Sequence, residues 1–299
     1  MGMLLNQRSD FYKKQVYIGG ILMDDRINGH LVIIGGAEDK TGKGVILGEV
    51  CEMLEEDNVL SIITTATQLP EEVGENYRHV FSDMGMKKIQ VLDIDTRDIA
   101  NDREIYEFIK KSKGIFFTGG DQLRITSILG GTLAYQAIKE VYYNGGVIIG
   151  TSAGASVMSS TMIVEGDDNE PAKKCTLKMA PGLDFLNDTI IDQHFDQRGR
   201  YGRLLCGVAE NPDVIGIGID EDTAIKVYPD RSFEVIGTNT VTVIDGSSIK
   251  SSNVSEQTPN EMLAIIGVTV HILPQGYRFD IKSRTAGSSL IGGSKNGNN

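Results

Sequence analysis

The chain of 299 residues is 40% hydrophobic and 23% charged, the proportions of a globular protein with a substantial core, and its net charge is −12. So acidic a balance disfavours nucleic acid and anionic membranes as principal partners. Cys51, Cys175 and Cys206 stand far apart and outside any C-x-x-C pattern, which argues against a disulfide framework or a zinc site and suits core thiols in a reducing compartment.

Residues 1–29 read as a polar leader, with a short strand expected over 16–18 and a polar turn over 24–29. The N-terminus lacks a signal-peptide pattern, and no apolar run approaches the roughly 20 residues that span a bilayer, so the expected location is cytoplasmic. From residue 30 the rhythm changes. Strand-like apolar runs over 30–36, 59–65, 88–94, 114–120 and 145–150 alternate with helical patterns. In 132–143, for example, Leu133, Ala134, Ala137, Ile138 and Val141 share one helical face, while Lys139 and Glu140 fall off it. Strand alternating with helix predicts a parallel sheet covered on both faces, with ligands bound beyond the carboxyl ends of the strands.

The run "GGVIIGTSAGASVM" (145–158) then places Ser152 between a β-branched strand and small residues that a helix accepts. Gly150-Thr151-Ser152-Ala153-Gly154 fits G-x-S-x-G, whose glycines let strand and helix pack closely around a strained turn and leave the serine hydroxyl exposed. The Ala153 N–H would then face a developing oxyanion. The alternative is an ordinary strand-to-helix connection. Two other loops carry glycine pairs: Gly35-Gly36-Ala37-Glu38-Asp39 after the first strand, and Thr118-Gly119-Gly120-Asp121-Gln122 after the fourth. An N–H near Gly120 is a candidate second oxyanion donor; the alternative is a flexible turn capped by Asp121. Neither loop has the register of a dinucleotide fingerprint or a phosphate loop, so no cofactor is expected.

Beyond Ser152, strands are expected over 189–195, 214–220, 223–229, 232–237 and 240–245, with a hairpin at Pro229-Asp230, completing the same sheet with partly antiparallel strands. A serine nucleophile needs a base. Of His30, His79, His194 and His271, only His194 lies where a strand ends in a dense polar cluster, "IIDQHFDQRGRYGR". The orienting carboxylate is Asp220, Glu221 or Asp222 at the end of the next strand, and spacing does not choose among them. Arg198, Arg200 and Arg203 suit bidentate binding of substrate carboxylates; otherwise they form a solvated basic helix face.

"LVIIGGAEDK", "FTGGDQLRITSIL", "GTSAGASVMS", "DQHFDQRGRYGRL" and "IGIGIDEDTAI" occur in the order and spacing of the blocks of the dipeptidase E-like serine peptidase family, and the chain resembles its cyanophycin-degrading members from about residue 30 to 271. The resemblance implies a three-layer α/β/α sandwich with a mostly parallel central sheet and extra antiparallel strands in the C-terminal half. It implies a Ser-His-Glu triad of Ser152, His194 and Glu221; such a mechanism needs no metal, and the N–H groups of Ala153 and Gly120 stay the candidate oxyanion donors. It assigns the substrate pocket to Asp121, Gln122, Asp192, Gln193, Arg198, Arg200 and Arg203. The implied partner is cyanophycin, a poly-aspartate bearing arginine on each side-chain carboxyl, cleaved from the chain end to β-aspartyl-arginine by a homodimer. Residues 30–290 would form one peptidase domain and 291–299 a disordered tail. Three readings compete: a sibling that cleaves short aspartyl peptides, an α/β-hydrolase esterase using His271, and an inert protein that binds acidic polymers.

Overall fold

The computed structural model describes residues 15–18, 21–24, 27–174 and 177–288. The expected strand over 16–18 is part of a small antiparallel hairpin, β1 (Gln15–Ile18) with β2 (Ile21–Asp24). Cys175 and the tail 291–299 lie outside the described residues.

Five strands follow the predicted rhythm: β3 (His30–Ile34), β4 (Val59–Ile63), β5 (Lys88–Leu92), β6 (Gly114–Phe117) and β7 (Val147–Thr151). They are joined by α1 (Val45–Leu54), α2 (Pro70–Asp83), α3 (Arg97–Ala100), α4 (Arg103–Lys110), α5 (Gln122–Leu129) and α6 (Leu133–Tyr143). Local chemistry sets several of these boundaries. Pro70 opens α2 with Glu71 and Glu72 in its first turn, while Asp102, Asp121 and Thr132 cap α4, α5 and α6 through their side chains. The strands pair in parallel in the order β3-β7-β6-β4-β5.

Alternate residues of each strand enter two cores. Val32, Ile34, Leu60, Ile62 and Phe116 pack against α1 and α2, where Phe116 meets Tyr77 and Phe81 at ring separations of 4.6 and 5.4 Å. Leu31, Ile33, Ile63, Phe117 and Ile148 pack on the opposite side, with Ala134, Ala137 and Ile138 of α6. Both faces are therefore covered, as the continuous apolar runs require. The result is the expected α/β/α arrangement.

After α7 (Ala153–Ser156), the chain forms the hairpin β8 (Thr161–Glu165) with β9 (Lys178–Pro181). Then come β10 (Thr189–Gln193), α8 (Tyr201–Glu210), β11 (Ile215–Ile219), β12 (Thr223–Val227), β13 (Ser232–Gly237), β14 (Thr240–Asp245), β15 (Ser251–Ser252), β16 (Ile265–Ile266), β17 (Thr269–Pro274), β18 (Tyr277–Asp280) and β19 (Thr285–Ser288). The expectation that this half completes one sheet is corrected here. β12, β13, β18 and β19 do extend the central sheet beyond β3, all antiparallel, making nine strands. β10, β11, β14 and β17 instead form a separate four-stranded sheet. The physical reason is visible in "IGIGI". Ile215, Ile217 and Ile219 bury into the larger core, while Gly216 and Gly218 face Leu204, Val208 and the Phe195 ring, where a Cβ would collide. β10 and β11 thus lie between the main core and α8, buried on both faces, while β17 at the edge of this sheet is largely exposed.

Candidate active site

Ser152 follows the last residue of β7, at φ 53° and ψ −112°. A non-glycine residue in this conformation costs on the order of 1–3 kcal/mol, so its surroundings must hold it. They do so from both sides. The Ser152 N–H extends the β3–β7 ladder to the Ile34 carbonyl at 3.1 Å, and the Ser152 carbonyl accepts from Ala155 and Ser156 at 2.9 and 3.1 Å, starting α7. Both glycines of the motif are sterically required. A Cβ on Gly150 would overlap the Gly154 backbone, and one on Gly154 would overlap that of Phe117.

The other two triad candidates come from the second sheet. β10 and β11 run parallel, with Gln193 opposite Ile219, so both strands end at the same level and deliver His194 and residues 220–222 to one place. His194 Nε2 lies 3.0 Å from Ser152 Oγ, and His194 Nδ1 lies 2.6 Å from Glu221 Oε1. The other two carboxylates have different partners. Asp220 accepts from Asp196 N–H at 3.1 Å and Thr240 Oγ1 at 2.7 Å; Asp222 accepts from Asp39 N–H and Thr238 Oγ1, both at 2.9 Å. Of the three carboxylates left open by spacing, Glu221 is the one that meets the imidazole. Its N–H donates to Gln197 Oε1 and its carbonyl accepts from Asn239 Nδ2, each at 2.8 Å. Gln197 belongs to the polar cluster of the sequence but had no role there, and no sequence pattern pointed to Asn239.

The His194 imidazole is held below its ordinary pKa, chiefly by burial; the Glu221 hydrogen bond opposes this, and the charges of Arg198 and Arg200 reinforce it. It is therefore a neutral acceptor over a wider acidic range than a free histidine. The other histidines stand apart from this group. His79 is exposed on α2 and its Nδ1 meets the Glu75 carbonyl, His30 packs edge-on against Tyr228, and the ring of His271 lies 5.6 Å from Phe279.

Beside Ser152, a Cβ added at Gly119 would sit 3.4 Å from the serine Cβ, which places the Gly119-Gly120 turn against the nucleophile. Gly120 has φ 143°, and Asp121 N–H donates to the Ala66 carbonyl at 2.9 Å. The N–H groups of Ala153 and Gly120 meet no acceptor among the described residues. Asp121 Oδ1 also caps α5 at Leu123 N–H, so the capping reading and the oxyanion reading are compatible.

The predicted pocket residues divide into two kinds. Gln193 Oε1 lies 3.4 Å from Ser152 Oγ, and the Arg198 side chain is exposed. The rest are engaged internally. Gln122 Nε2 donates to the carbonyls of Ile163 and Val164 at 3.1 and 3.2 Å. Arg203 forms a two-pronged pair with Asp192 (Nε to Oδ2 at 2.7 Å, Nη2 to Oδ1), and Arg200 donates to Asp168 at 2.7 Å and to the Gln193 carbonyl at 2.6 Å. Asp192, Arg200 and Arg203 are only 1, 5 and 8% exposed. The expectation of three guanidiniums free to grip a substrate is therefore corrected: burial pairs two of them with aspartates, and neither forms a solvated helix face. Asp168, which joins this cluster from the loop before β9, had no signal in the sequence.

Comparison with known proteins identifies the family. Residues 31–235 match the family model described as Peptidase family S51. The chain is 36% identical over 271 residues to a cyanophycinase from Geminocystis herdmanii (strain PCC 6308), covering 90% of this chain and all of that one. It is 35% identical over 257 residues to cyanophycinases from Synechococcus elongatus and Trichormus variabilis, covering 85% of this chain and 80 and 86% of those. Among solved structures, a peptidase from an acI-B1 Actinobacterium shares the fold, with a TM-score of 0.58 at 20% identity over 82% of this chain and 98% of that one.

Proposed function

The chain belongs to peptidase family S51, and from that premise we propose that it is a serine-type exopeptidase that hydrolyses cyanophycin to β-aspartyl-arginine through an acyl-enzyme. The observation that carries this reading is the hydrogen-bonded chain Ser152–His194–Glu221. His194 Nε2 takes the Ser152 proton as Oγ attacks the main-chain carbonyl of the terminal aspartyl unit. The oxyanion is received by the N–H groups of Ala153 and Gly120. As the tetrahedral adduct collapses, the C–N bond breaks and His194 returns the proton to the leaving amine. Water, deprotonated by His194, then attacks the acyl-enzyme, and the proton passes back to Ser152 as the dipeptide leaves. Glu221 keeps Nδ1 protonated throughout and stabilises the imidazolium.

The substrate alternates carboxylate and guanidinium groups. Arg198 is the exposed cation suited to its carboxylate, and Gln193 lies beside the reacting hydroxyl. Asp121, Gln122, Asp192, Arg200 and Arg203 shape the pocket wall, the last two through their aspartate pairs. Among the described residues no helix is long and apolar enough to cross a membrane. We further propose a cytoplasmic homodimer, which sedimentation equilibrium would show as twice the chain mass.

The decisive experiment incubates the pure protein with cyanophycin and identifies soluble products by mass spectrometry. β-Aspartyl-arginine is expected. Intact polymer, with Ser152 still labelled by a fluorophosphonate, would overturn the substrate and point to a peptidase of short aspartyl peptides.

A further inference from the structure

The Gly35-Gly36 pair has no part in the mechanism above, yet the loop that carries it bonds Ser152, His194 and the residue next to Glu221. Three consecutive carbonyls, those of Ile34, Gly35 and Gly36, accept the N–H groups of Ser152, His194 and Asp222 at 3.1, 2.8 and 2.9 Å. Asp222 is the neighbour of Glu221, and its side chain is bound a second time by the Asp39 N–H. All three donors are non-glycine residues at positive φ, 53°, 48° and 48°. Positive φ is uncommon for non-glycine residues, and these hydrogen bonds help to hold all three in it. The glycines are needed because the approach is so close. A Cβ on Gly35 would strike the Asp220 backbone, and one on Gly36, itself at φ 100°, would strike the His194 ring.

The same loop sends one buried side chain under the nucleophile. Glu38 is 4% exposed. Its Oε2 accepts from Thr151 Oγ1 at 2.6 Å, and its Oε1 accepts from the buried Tyr77 hydroxyl at 2.5 Å, with Lys40 Nζ 3.4 Å away. Thr151 immediately precedes Ser152, so anchoring its side chain fixes the peptide plane from which the strained serine projects. The loop is braced in turn: Gly35 N–H donates to the Thr223 carbonyl at 2.9 Å, and the Asp39 carboxylate accepts from the N–H groups of Thr41, Gly42 and Gly44.

We propose that residues 34–39 form the template that brings the two sheets' contributions to the triad into register, with Glu38 a positioning residue that aims Ser152 through Thr151. This deepens the serine-peptidase reading and rests on it. Glu38 touches no reacting atom, so its effect belongs in turnover rather than in substrate affinity or in the ionisation of His194.

The test compares Glu38→Gln, Thr151→Val and Thr151→Ser with the parent protein, using fluorophosphonate labelling of Ser152 and cyanophycin turnover per titrated site. A misaimed nucleophile should cost Glu38→Gln and Thr151→Val about tenfold or more in both rates. KM should stay within about twofold, the pH midpoint should not move, and Thr151→Ser, which keeps the hydroxyl, should recover most of the rate. Rates per titrated site within about twofold of the parent in Thr151→Val would overturn the proposal, whatever happens to yield or melting temperature. Because titration counts only folded sites, Thr151→Val decides the matter even if Glu38→Gln fails to fold. A parent protein whose Ser152 does not label would overturn the triad reading itself, and this proposal with it. A parent that labels but leaves cyanophycin intact would remove only the substrate, and labelling rates would still decide the role of Glu38.

Discussion

The two halves of the site are built in different ways. The turn that carries Ser152 is local: a buried strand, two glycines that permit close packing, and one turn of helix, all within residues 147–156. The ends that carry His194 and Glu221 are non-local, and they meet because β10 and β11 pair in parallel with Gln193 opposite Ile219. A strained turn can be recognised from a short motif, since its steric demands fall on neighbouring residues. A register between strands cannot, because it depends on what each strand buries.

The comparison can be broken most directly by kinetics. Ser152→Ala and His194→Ala should each lower kcat by about 10^4-fold or more, and the double variant should be no worse, because residues acting as a unit are grossly non-additive. Losses that multiply in the double variant would mean that the two ends act independently. A smaller effect probes how the second sheet is held. Asp192 lies under Arg200 and Arg203, so Asp192→Asn removes their buried charge partner, leaves only the more exposed Asp168, and should destabilise the fold by about 3 kcal/mol in urea unfolding. An unchanged midpoint would show that the cluster contributes little to that end. The finest test concerns pH. His194 must be neutral to act, so kcat/KM falls as pH drops through its depressed pKa. Arg198 adds to that depression, and Arg198→Gln should therefore move the acidic limb of the profile to higher pH. A limb that stays in place would mean that the Arg198 charge has no part in setting the ionisation.

Much of the architecture was legible in advance because parallel strands buried on both faces must be continuous apolar runs, as 31–34 and 147–150 are. The partition of the later strands was not. "TVTVID" and "SFEVIG" have similar patterns, yet β14 belongs to the second sheet and β13 to the first. Alternation records only that a strand has two environments. The basic run from Arg198 to Arg203 was misread for a related cause: its outcome depends on Asp168 and Asp192, which arrive from other loops and strands. Gln197 stood in the polar cluster after His194 without a role, and Asn239 gave no signal, because a side chain that steadies a backbone group leaves no pattern around it.

By itself the sequence determined the nucleophile's turn, the alternation of strand and helix, and the polar strand end where a base could stand, since each of these is imposed by packing or backbone sterics among near neighbours. Only the tertiary structure decided which carboxylate meets the imidazole, which arginines remain free, and that residues 34–39 tie two sheets together at the triad. Those outcomes depend on hydrogen bonds and ion pairs between residues that are distant in the chain and brought together by burial.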